Sequence, residues 1–320
     1  MLPEVLSALA PKDGEFYVDG TFGNGGYSES FLKAANCNVV GLDRDPNVAL
    51  RARELSAQYE GRFKLIETPF SKMDEVGLEG VDAVILDIGV SSMQLDQADR
   101  GFSFMRSGPL DMRMGDTGLT AAGAIKSLSH SDLIRVFQVY GEERRARRAA
   151  DFIVRAREDG AIATTEQLAE IIEKALGRSG KIHPATRVFQ ALRIFVNDEL
   201  GELYRGLCAA EAILKPGGRL IVVTFHSLED RIVKSFLRRR AGEVAGSSRY
   251  APEVKKDGPE ASFAQGKRSV IKPSKIEVSE NPRSRSAKLR FAIRSGASVF
   301  PADDALLPNV IHVSELEGAR

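Results

Sequence analysis

Glycines and acidic residues near the start of the sequence have the spacing of a nucleoside-binding site. Residues 15–19 are rich in β-formers, residues 20–26 contain four glycines, and residues 27–32 have helical composition. Glycines let a backbone approach a ligand where a Cβ would clash, and the free N–H groups of a following helix point into the same space. A second β-rich segment ends at Asp43, eighteen residues after Gly25, where doubly wound folds place a carboxylate on a ribose. The sequence therefore predicts a nucleoside cofactor.

Polar residues also follow later apolar strands. Residues 81–86 are almost continuously apolar and end at Asp87, and residues 221–225 are followed by His226. Because the carboxyl ends of parallel strands border the ligand crevice, Asp87 and His226 are the candidate catalytic residues. For Ser227 and Asp230 the alternative to a functional role is a cap of the next helix, and that alternative does not explain His226. Phe70, which follows the strand at residues 62–66, is predicted either to stack on an adenine or to belong to the core.

Two other segments have the composition of a nucleic-acid contact. Residues 100–113 mix arginines, aromatics and methionines, which suits a loop that stacks bases and contacts phosphates. Residues 142–157 hold six arginines against three acidic residues. The candidate substrate-binding residues from these segments are Phe102, Phe104, Arg106, Arg113, Arg144 and Arg148. The alternatives are a surface loop that packs its own aromatics and a solvated helix face.

Composition limits the classes of protein that fit. The 320 residues include 45 basic and 44 acidic side chains, so no global field attracts a polyanion and any nucleic-acid surface is a local patch. The two cysteines lie far apart in the sequence and have no other cysteine or histidine ligands near them. We therefore expect no structural metal site and no disulfide scaffold. No stretch approaches eighteen uncharged apolar residues, and no leader pattern is present. We therefore expect a soluble cytoplasmic protein without a membrane partner.

The alternation of strands and helices predicts the fold class. We expect an α/β protein with a doubly wound, mostly parallel Rossmann-like sheet, an inserted helical domain and a closing antiparallel hairpin. The predicted domains are residues 1–107 and 205–320, which together bind the cofactor, and residues 108–204, which recognise the substrate.

Three local predictions concern the second half of the sequence. His183 opens a long helix that runs through Leu207 and returns the chain to the sheet. Strands at residues 275–278 and 288–293 form the closing hairpin. Residues 241–274, rich in glycine, serine and lysine, form a mobile loop.

Several sequence blocks, together with a Lys-Pro-Gly-Gly turn at residues 215–218, resemble methyltransferases that use S-adenosylmethionine. More specifically, they closely resemble the bacterial 16S ribosomal RNA cytosine-N4-methyltransferase family. The blocks are residues 19–26, 42–46, 87–92, 94–96, 100–113, 183–187, 225–231 and 281–286. The resemblance extends from Leu2 to about Arg294.

The resemblance implies methyl transfer from S-adenosylmethionine to the exocyclic N4 of a decoding-region cytidine. The implied partner is 16S rRNA in the small ribosomal subunit. The family's cofactor contacts fall on Gly25, Gly26, Tyr27, Asp43, Phe70, Asp87 and Gln94. The family usually has histidine where Tyr27 stands, so that contact is expected from the backbone. The family also usually begins with a His-x-Pro-Val segment, whereas this sequence starts at Met1. We expect either a truncated start or a dispensable segment, and no ligand contact from it in this sequence.

Other functions fit the same sequence. One is a methyltransferase with a protein or small-molecule acceptor, and another is a non-catalytic RNA-binding ribosome assembly factor that keeps S-adenosylmethionine as a structural ligand. Other amino-methyltransferases carry Asp/Asn/Ser-Pro-Pro-aromatic where residues 87–90 stand, and the prolines and the aromatic are absent here. The catalytic assignment therefore rests on position. The sequence does not distinguish naked rRNA from an assembled particle as the substrate. It also leaves the oligomeric state open, and a homodimer is one option.

Overall fold

The computed structural model describes residues 1–90, 94, 96–178, 183–242, 259–265 and 270–317. It divides into two compact units, of which the first comprises Met1–Gly89 and Leu200–Leu307, and the second Val90–Glu199 and Pro308–Arg320. The predicted insertion at residues 108–204 overlaps the second unit, and its borders stay a prediction. Most of the predicted loop at residues 241–274 lies outside the described residues.

A seven-stranded sheet forms the centre of the first unit, in the order β3-β2-β1-β4-β5-β7-β6. The strands are β1 (Phe16–Asp19), β2 (Asn38–Asp43), β3 (Phe63–Glu67), β4 (Val81–Asp87), β5 (Leu214–Thr224), β6 (Phe263–Gln265) and β7 (Lys288–Arg294). Strands β1 to β5 are parallel, and β7 pairs antiparallel with both β5 and β6. The predicted doubly wound α/β sheet is confirmed, and its strand order reverses between β1 and β4.

Burial explains why these segments are strands. All residues of β4 before its last are buried, as expected for a central parallel strand covered on both faces.

The helices are α1 (Leu2–Leu9), α2 (Gly26–Ala34), α3 (Ala49–Gln58), α4 (Ala121–Ser127), α5 (His130–Val139), α6 (Ala146–Asp159), α7 (Thr165–Leu176), α8 (Ala185–Val196), α9 (Glu199–Ile213), α10 (Ser227–Arg240), α11 (Lys275–Glu280) and α12 (Val313–Glu317). In the described part of the chain, no helix has the length and apolar character to cross a membrane.

The single long helix predicted from His183 is wrong, because the chain breaks between α8 and α9. Asp198 has a φ of +46°, in the left-handed region that aspartate tolerates better than most residues. The side chain of Asn197 donates to the carbonyl of Met112 and accepts from the amide of Met114, both at distances below 3 Å. These bonds tie the break to the loop of the second unit that precedes α4.

The predicted strand at residues 275–278 is also wrong, because this segment is α11. The hydroxyl of Ser274 accepts a hydrogen bond of 3.1 Å from the amide of Glu277, which caps the helix. The antiparallel pair at the sheet edge does exist, but β7 pairs there with β6, so that Phe263 lies opposite Arg294.

Helices make up the core of the second unit. The apolar residues of α5 repeat at helical spacing and are buried, including Leu133 and Phe137. A capping box begins α7, since the Thr164 hydroxyl accepts from the amide of Gln167 and the Gln167 side chain accepts from the amide of Thr164.

Candidate active site

Three carboxylates stand at the ends of neighbouring parallel strands. Asp19 ends β1, Asp43 ends β2 and Asp87 ends β4. Strands β2, β1 and β4 are adjacent, so all three side chains lie at the carboxyl edge, meaning the edge of the sheet where β1 to β5 end. The reversal of strand order between β1 and β4 is the place where open α/β sheets bind ligands.

The glycine loop is fixed between β1 and α2. Gly25 has a φ of +72°, and a Cβ on it would lie 2.8 Å from the ring of Phe22. Phe22 is buried beneath the loop, and its amide donates to the carbonyl of Leu42. Helix α2 begins at Gly26, which is exposed and has open space where a Cβ would project. The amino end of α2 is therefore accessible to a ligand, as the prediction for Gly25 and Gly26 requires.

Asp43 holds the same loop through its carboxylate. Its Oδ2 accepts from the amide of Gly23 at 2.8 Å, and its Oδ1 accepts from the amide of Asp45 at 2.9 Å. Burial raises the pKa of Asp43, and the two hydrogen bonds oppose that rise. A carboxylate offers about four acceptor positions, so two remain for the hydroxyls of a ribose.

Asp87 ends β4 with a buried carboxylate oxygen, Oδ1, that has no hydrogen-bond partner among the described residues. The pKa of Asp87 is raised to about 7, mainly by burial and to a smaller extent by the charges of Asp19 and Glu229, while the charge of the amino terminus and hydrogen bonding with Tyr27 oppose the rise. Burial and the nearby Asp87 also raise the pKa of Tyr27. A buried acceptor without a partner is costly, so this atom is suited to a donor on a ligand.

Asp19 was missed by the sequence analysis as a site residue. It is fully buried, and its carboxylate accepts 2.7 Å from the hydroxyl of Ser28 and 3.3 Å from the amide of Thr21. Burial raises the pKa of Asp19 to about 6. The signal was available, because Asp19 ends its strand in the same way as Asp43 and Asp87.

His226 lies two residues after the end of β5 and is itself the N-cap of α10. Its Nδ1 accepts from the amide of Glu229 at 3.5 Å, and Oε2 of Glu229 accepts from the amides of His226 and Phe225. Nε2 of His226 lies 2.8 Å from Oε1 of Glu229 but is not aligned for a hydrogen bond, so this buried nitrogen keeps unused bonding capacity. The catalytic role of His226 stays a prediction, and the structure adds a capping role.

The alternative in which Ser227 and Asp230 cap α10 is wrong, because His226 takes the N-cap position. Asp230 instead accepts from Lys288 Nζ at 2.9 Å and from Arg290 Nε at 2.8 Å. Burial alone would raise the pKa of Asp230, but these two cations hold it below its usual value. The pairing ties the first turn of α10 to β7.

Phe70 begins a 3-10 turn directly after β3. Its ring packs against Gly206 of α9, where a Cβ would lie 2.3 Å from a ring carbon. The side chain is half-buried. Phe70 is thus held by the core, as one reading predicted, and part of its ring remains for a ligand, as the other requires.

The turn before β7 also reaches the carboxyl edge. Because β7 is antiparallel to β5, its first residue, Lys288, pairs with Thr224 at the end of β5. The 3-10 turn at Pro282–Ser286 therefore lies at this edge and carries the exposed side chains of Arg283 and Arg285. The sequence analysis singled out this block but gave its arginines no role.

The aromatic candidates of the second unit are partly covered. Phe102 is only 7% exposed, and the guanidinium of Arg100 lies 5.9 Å from its ring centre. Phe104 is half-buried, with its ring centre 4.6 Å from His183 and 4.9 Å from Phe189. The predicted stacking of RNA bases on Phe102 and Phe104 stays a prediction.

The polar candidates of the second unit differ in exposure. Arg106, Arg144 and Arg148 are exposed. Arg113 is engaged, since it pairs with Asp111 at 2.7 Å and donates to the carbonyl of Asp116. Gln94, a predicted cofactor contact, is buried within this unit.

Comparisons with known proteins agree with the resemblance seen in the sequence. Residues 1–295 match the model of the MraW methylase family. The ribosomal RNA small subunit methyltransferase H of Maricaulis maris is 55% identical over 325 residues, which cover 100% of this chain and 97% of the relative. The protein of the same name from Caulobacter vibrioides is 56% identical over 305 residues, covering 94% and 96%.

A solved rRNA methylase from Streptococcus thermophilus has a TM-score of 0.42 at 10% identity, covering 91% of this chain and 95% of its own. That likeness is too weak to carry an argument. The match of sequence to the family model, by contrast, takes in both compact units, and the chain belongs to the MraW methylase family.

Proposed function

We propose that the protein transfers a methyl group from S-adenosylmethionine to the exocyclic N4 of a decoding-region cytidine in 16S rRNA of the small ribosomal subunit. Membership of the MraW methylase family and the names of its relatives support methylation of small-subunit rRNA. The observation that carries the proposal is the buried, unpartnered Oδ1 of Asp87 at the reversal of strand order. The reaction belongs in the cytoplasm, where bacterial subunits are assembled.

The described residues fit S-adenosylmethionine, which supplies an electrophilic methyl group when bound. Its sulfonium and ammonium charges suit an edge where three carboxylates end neighbouring strands. Asp43 would accept from the ribose hydroxyls, and the open backbone at Gly26 would lie along the ligand. The half-buried ring of Phe70 would contact the adenine.

The acceptor amine sets the task for Asp87. The lone pair of the N4 amine is delocalised into the cytosine ring, so the amine is a poor nucleophile. A hydrogen bond from the amine to Oδ1 of Asp87 would orient the lone pair and stabilise the positive charge that develops on N4. The same oxygen would then take the proton. Fixing the two reactants in line can contribute roughly 7 to 11 kcal/mol at best, so positioning is the larger share of the work.

Exposed cations would hold the RNA. Arg106, Arg144 and Arg148 in the second unit and Arg285 in the first are exposed and offer charges for phosphates. Phosphate contacts give affinity and register without reading sequence, which suits a large structured substrate.

Radioactive methyl transfer tests the proposal. The acceptor is small ribosomal subunits from a strain that lacks its own family enzyme, and the labelled nucleotide is identified by mass spectrometry. We expect N4-methylcytidine with the wild-type protein and almost none with Asp87→Asn. Label on a protein or on another base would refute the assignment. Cofactor binding without any transfer would favour an assembly factor.

A further inference from the structure

Met105 is unusual among the methionines that the structure describes. Its side chain is 82% exposed, the highest value among the large apolar side chains of the described residues. Met1, Met73, Met112 and Met114 are each less than 10% exposed. An apolar side chain in this position gains nothing from the fold. A contact with another molecule would explain why an apolar residue is exposed here.

The loop that carries Met105 is pinned at both ends. Gly101 has a φ of +72°, and a Cβ on it would lie 2.3 Å from the carbonyl oxygen of Pro109. Nη2 of Arg100 donates to the carbonyls of Arg113 and Met114 at 3.1 and 2.9 Å. Contacts within the loop therefore hold its two ends close together.

The residues next to Met105 are held as well. Phe104 packs on His183 and Phe189. On the other side, the hydroxyl of Thr165 donates to the carbonyl of Arg106 at 3.3 Å and accepts from the amide of Gly108 at 3.1 Å. The amide of Met105 donates to the hydroxyl of Ser103. The backbone of the tip is held by these bonds, and the side chain of Met105 projects from it.

The neighbours of Met105 indicate the kind of partner. Arg106 and Ser107 follow it and are both exposed. Proteins that unstack nucleic acids insert a single apolar side chain, such as methionine, between bases and hold the backbone with a neighbouring arginine. A protein partner would require a wider apolar patch than one side chain between polar residues.

We propose that Met105 inserts between two stacked bases of the RNA substrate while Arg106 contacts an adjacent phosphate. The proposal rests on the proposed function, since it takes rRNA as the substrate. We call the inserted Met105 side chain the wedge. It fills the space between two bases that have moved apart, and it positions the substrate without touching the reacting atoms.

Steady-state methylation of small subunits tests the wedge with three variants of one residue. Met105→Ala and Met105→Gln should raise KM about 10- to 100-fold, the effect of leaving a methionine side chain unburied in the complex. Because the contact is made before and during reaction, kcat should change less than about threefold. Met105→Leu keeps the apolar volume and should stay within about threefold of wild type in both constants. A KM for Met105→Ala equal to wild type overturns the proposal.

A photo-crosslinking amino acid at position 105 tests the contact directly in the full chain. We expect it to crosslink to rRNA bases in the subunit. The matched control is position 50, because Leu50 is 71% exposed and lies on α3 of the first unit. Crosslinks to a ribosomal protein instead of rRNA, or equal rRNA crosslinking from both positions, overturn the wedge. If wild-type protein fails to methylate any subunit RNA, the proposed function has failed, whereas methylation with an indifferent Met105 refutes only the wedge.

Discussion

The two units of this protein present opposite chemistry to a ligand. At the carboxyl edge of the first unit, Asp19 and Asp87 are acids whose burial raises their pKa values, and each is placed by the end of a strand. In the second unit, Arg106, Arg144 and Arg148 are exposed. The acids proposed to act at the carboxyl edge of the first unit are shielded from water, whereas the arginines proposed to hold RNA in the second unit are in contact with water.

This difference has an energetic consequence. Charges shielded from water act through strong, short interactions, so a single replacement has a large effect. Exposed charges act through phosphate contacts that salt weakens, so each contributes little and they act together. The predictions below test that contrast.

The largest expected effect is at Asp87. Asp87→Asn should lower turnover by about 10⁴, at the upper end of the range for losing an acid or base, because the amide cannot take the proton. With wild-type protein, kcat/KM should fall about tenfold per pH unit below 7 and level off above it, since the reacting form is the carboxylate and burial raises its pKa to about 7. Rate profiles from pH 5 to 9 measure this.

A stability measurement is the control for this variant. Since the pKa of Asp87 is higher in the folded state than in the unfolded chain, the contribution of Asp87 to stability falls as pH rises from about 4 to 7. Asp87→Asn lacks this loss and should unfold no more easily than wild type at pH 8. A flat pH profile for wild-type activity would remove Asp87 from the reaction.

His226 is expected to have the next largest effect, with two separable parts. His226→Ala should lower turnover by about 10², the lower end of the range for losing an acid or base. The effect is at the lower end because Nδ1 already accepts from the amide of Glu229, which leaves only Nε2 for the reaction. The same variant should also lower the free energy of unfolding by about 1 kcal/mol through loss of the N-cap. His226→Asn, a good N-cap residue, should recover stability but not turnover. If His226→Asn recovers both, the histidine is structural only.

Replacing Asp43 should affect cofactor binding rather than the chemical step. Asp43→Ala should weaken S-adenosylmethionine binding by about 1.5 to 3 kcal/mol, the range for a hydrogen bond to a charged group. Asp43→Asn, which can still accept from one of the two loop amides, should lose less. Isothermal titration calorimetry measures both, and equal affinities for wild type and Asp43→Ala would place the ribose elsewhere.

The smallest effect per residue is expected among the exposed arginines. Replacing Arg144 and Arg148 together by glutamine should reduce the salt slope of RNA binding by close to one unit per lost phosphate contact. Arg145 is the matched control, because its guanidinium donates to the carbonyl of Leu176 and serves the fold. Arg145→Gln should lower stability and leave the slope as it is. An unaltered slope in the double variant would assign Arg144 and Arg148 to a solvated face.

The parts of the site that the sequence predicted are those set by local pattern. Asp43 and Asp87 each follow an apolar run directly, and the glycine loop lies directly between the strand β1 and the helix α2. Such signals need no knowledge of distant pairing. Their placement in the sheet follows from the rules for parallel strands.

The errors arose where a local pattern was ambiguous or a distant partner decided the outcome. Ile276 and Val278 alternate like strand residues, but the Ser274 to Glu277 cap makes the segment a helix. Histidine is a rare N-cap, so the local pattern around Ser227 does not indicate that His226 caps α10. The edge position of the turn at Pro282–Ser286 depends on the register between β5 and β7, which no local signal contains.

The antiparallel strand β7 makes the order of synthesis matter. Until about residue 294 has left the ribosome, β5 has no neighbour on one side, and its buried apolar residues form an open sheet edge. Asp230 likewise waits for Lys288 and Arg290, which lie 58 and 60 residues further along the chain. A nascent chain that stalls before β7 therefore presents a template for aggregation rather than a partly working enzyme.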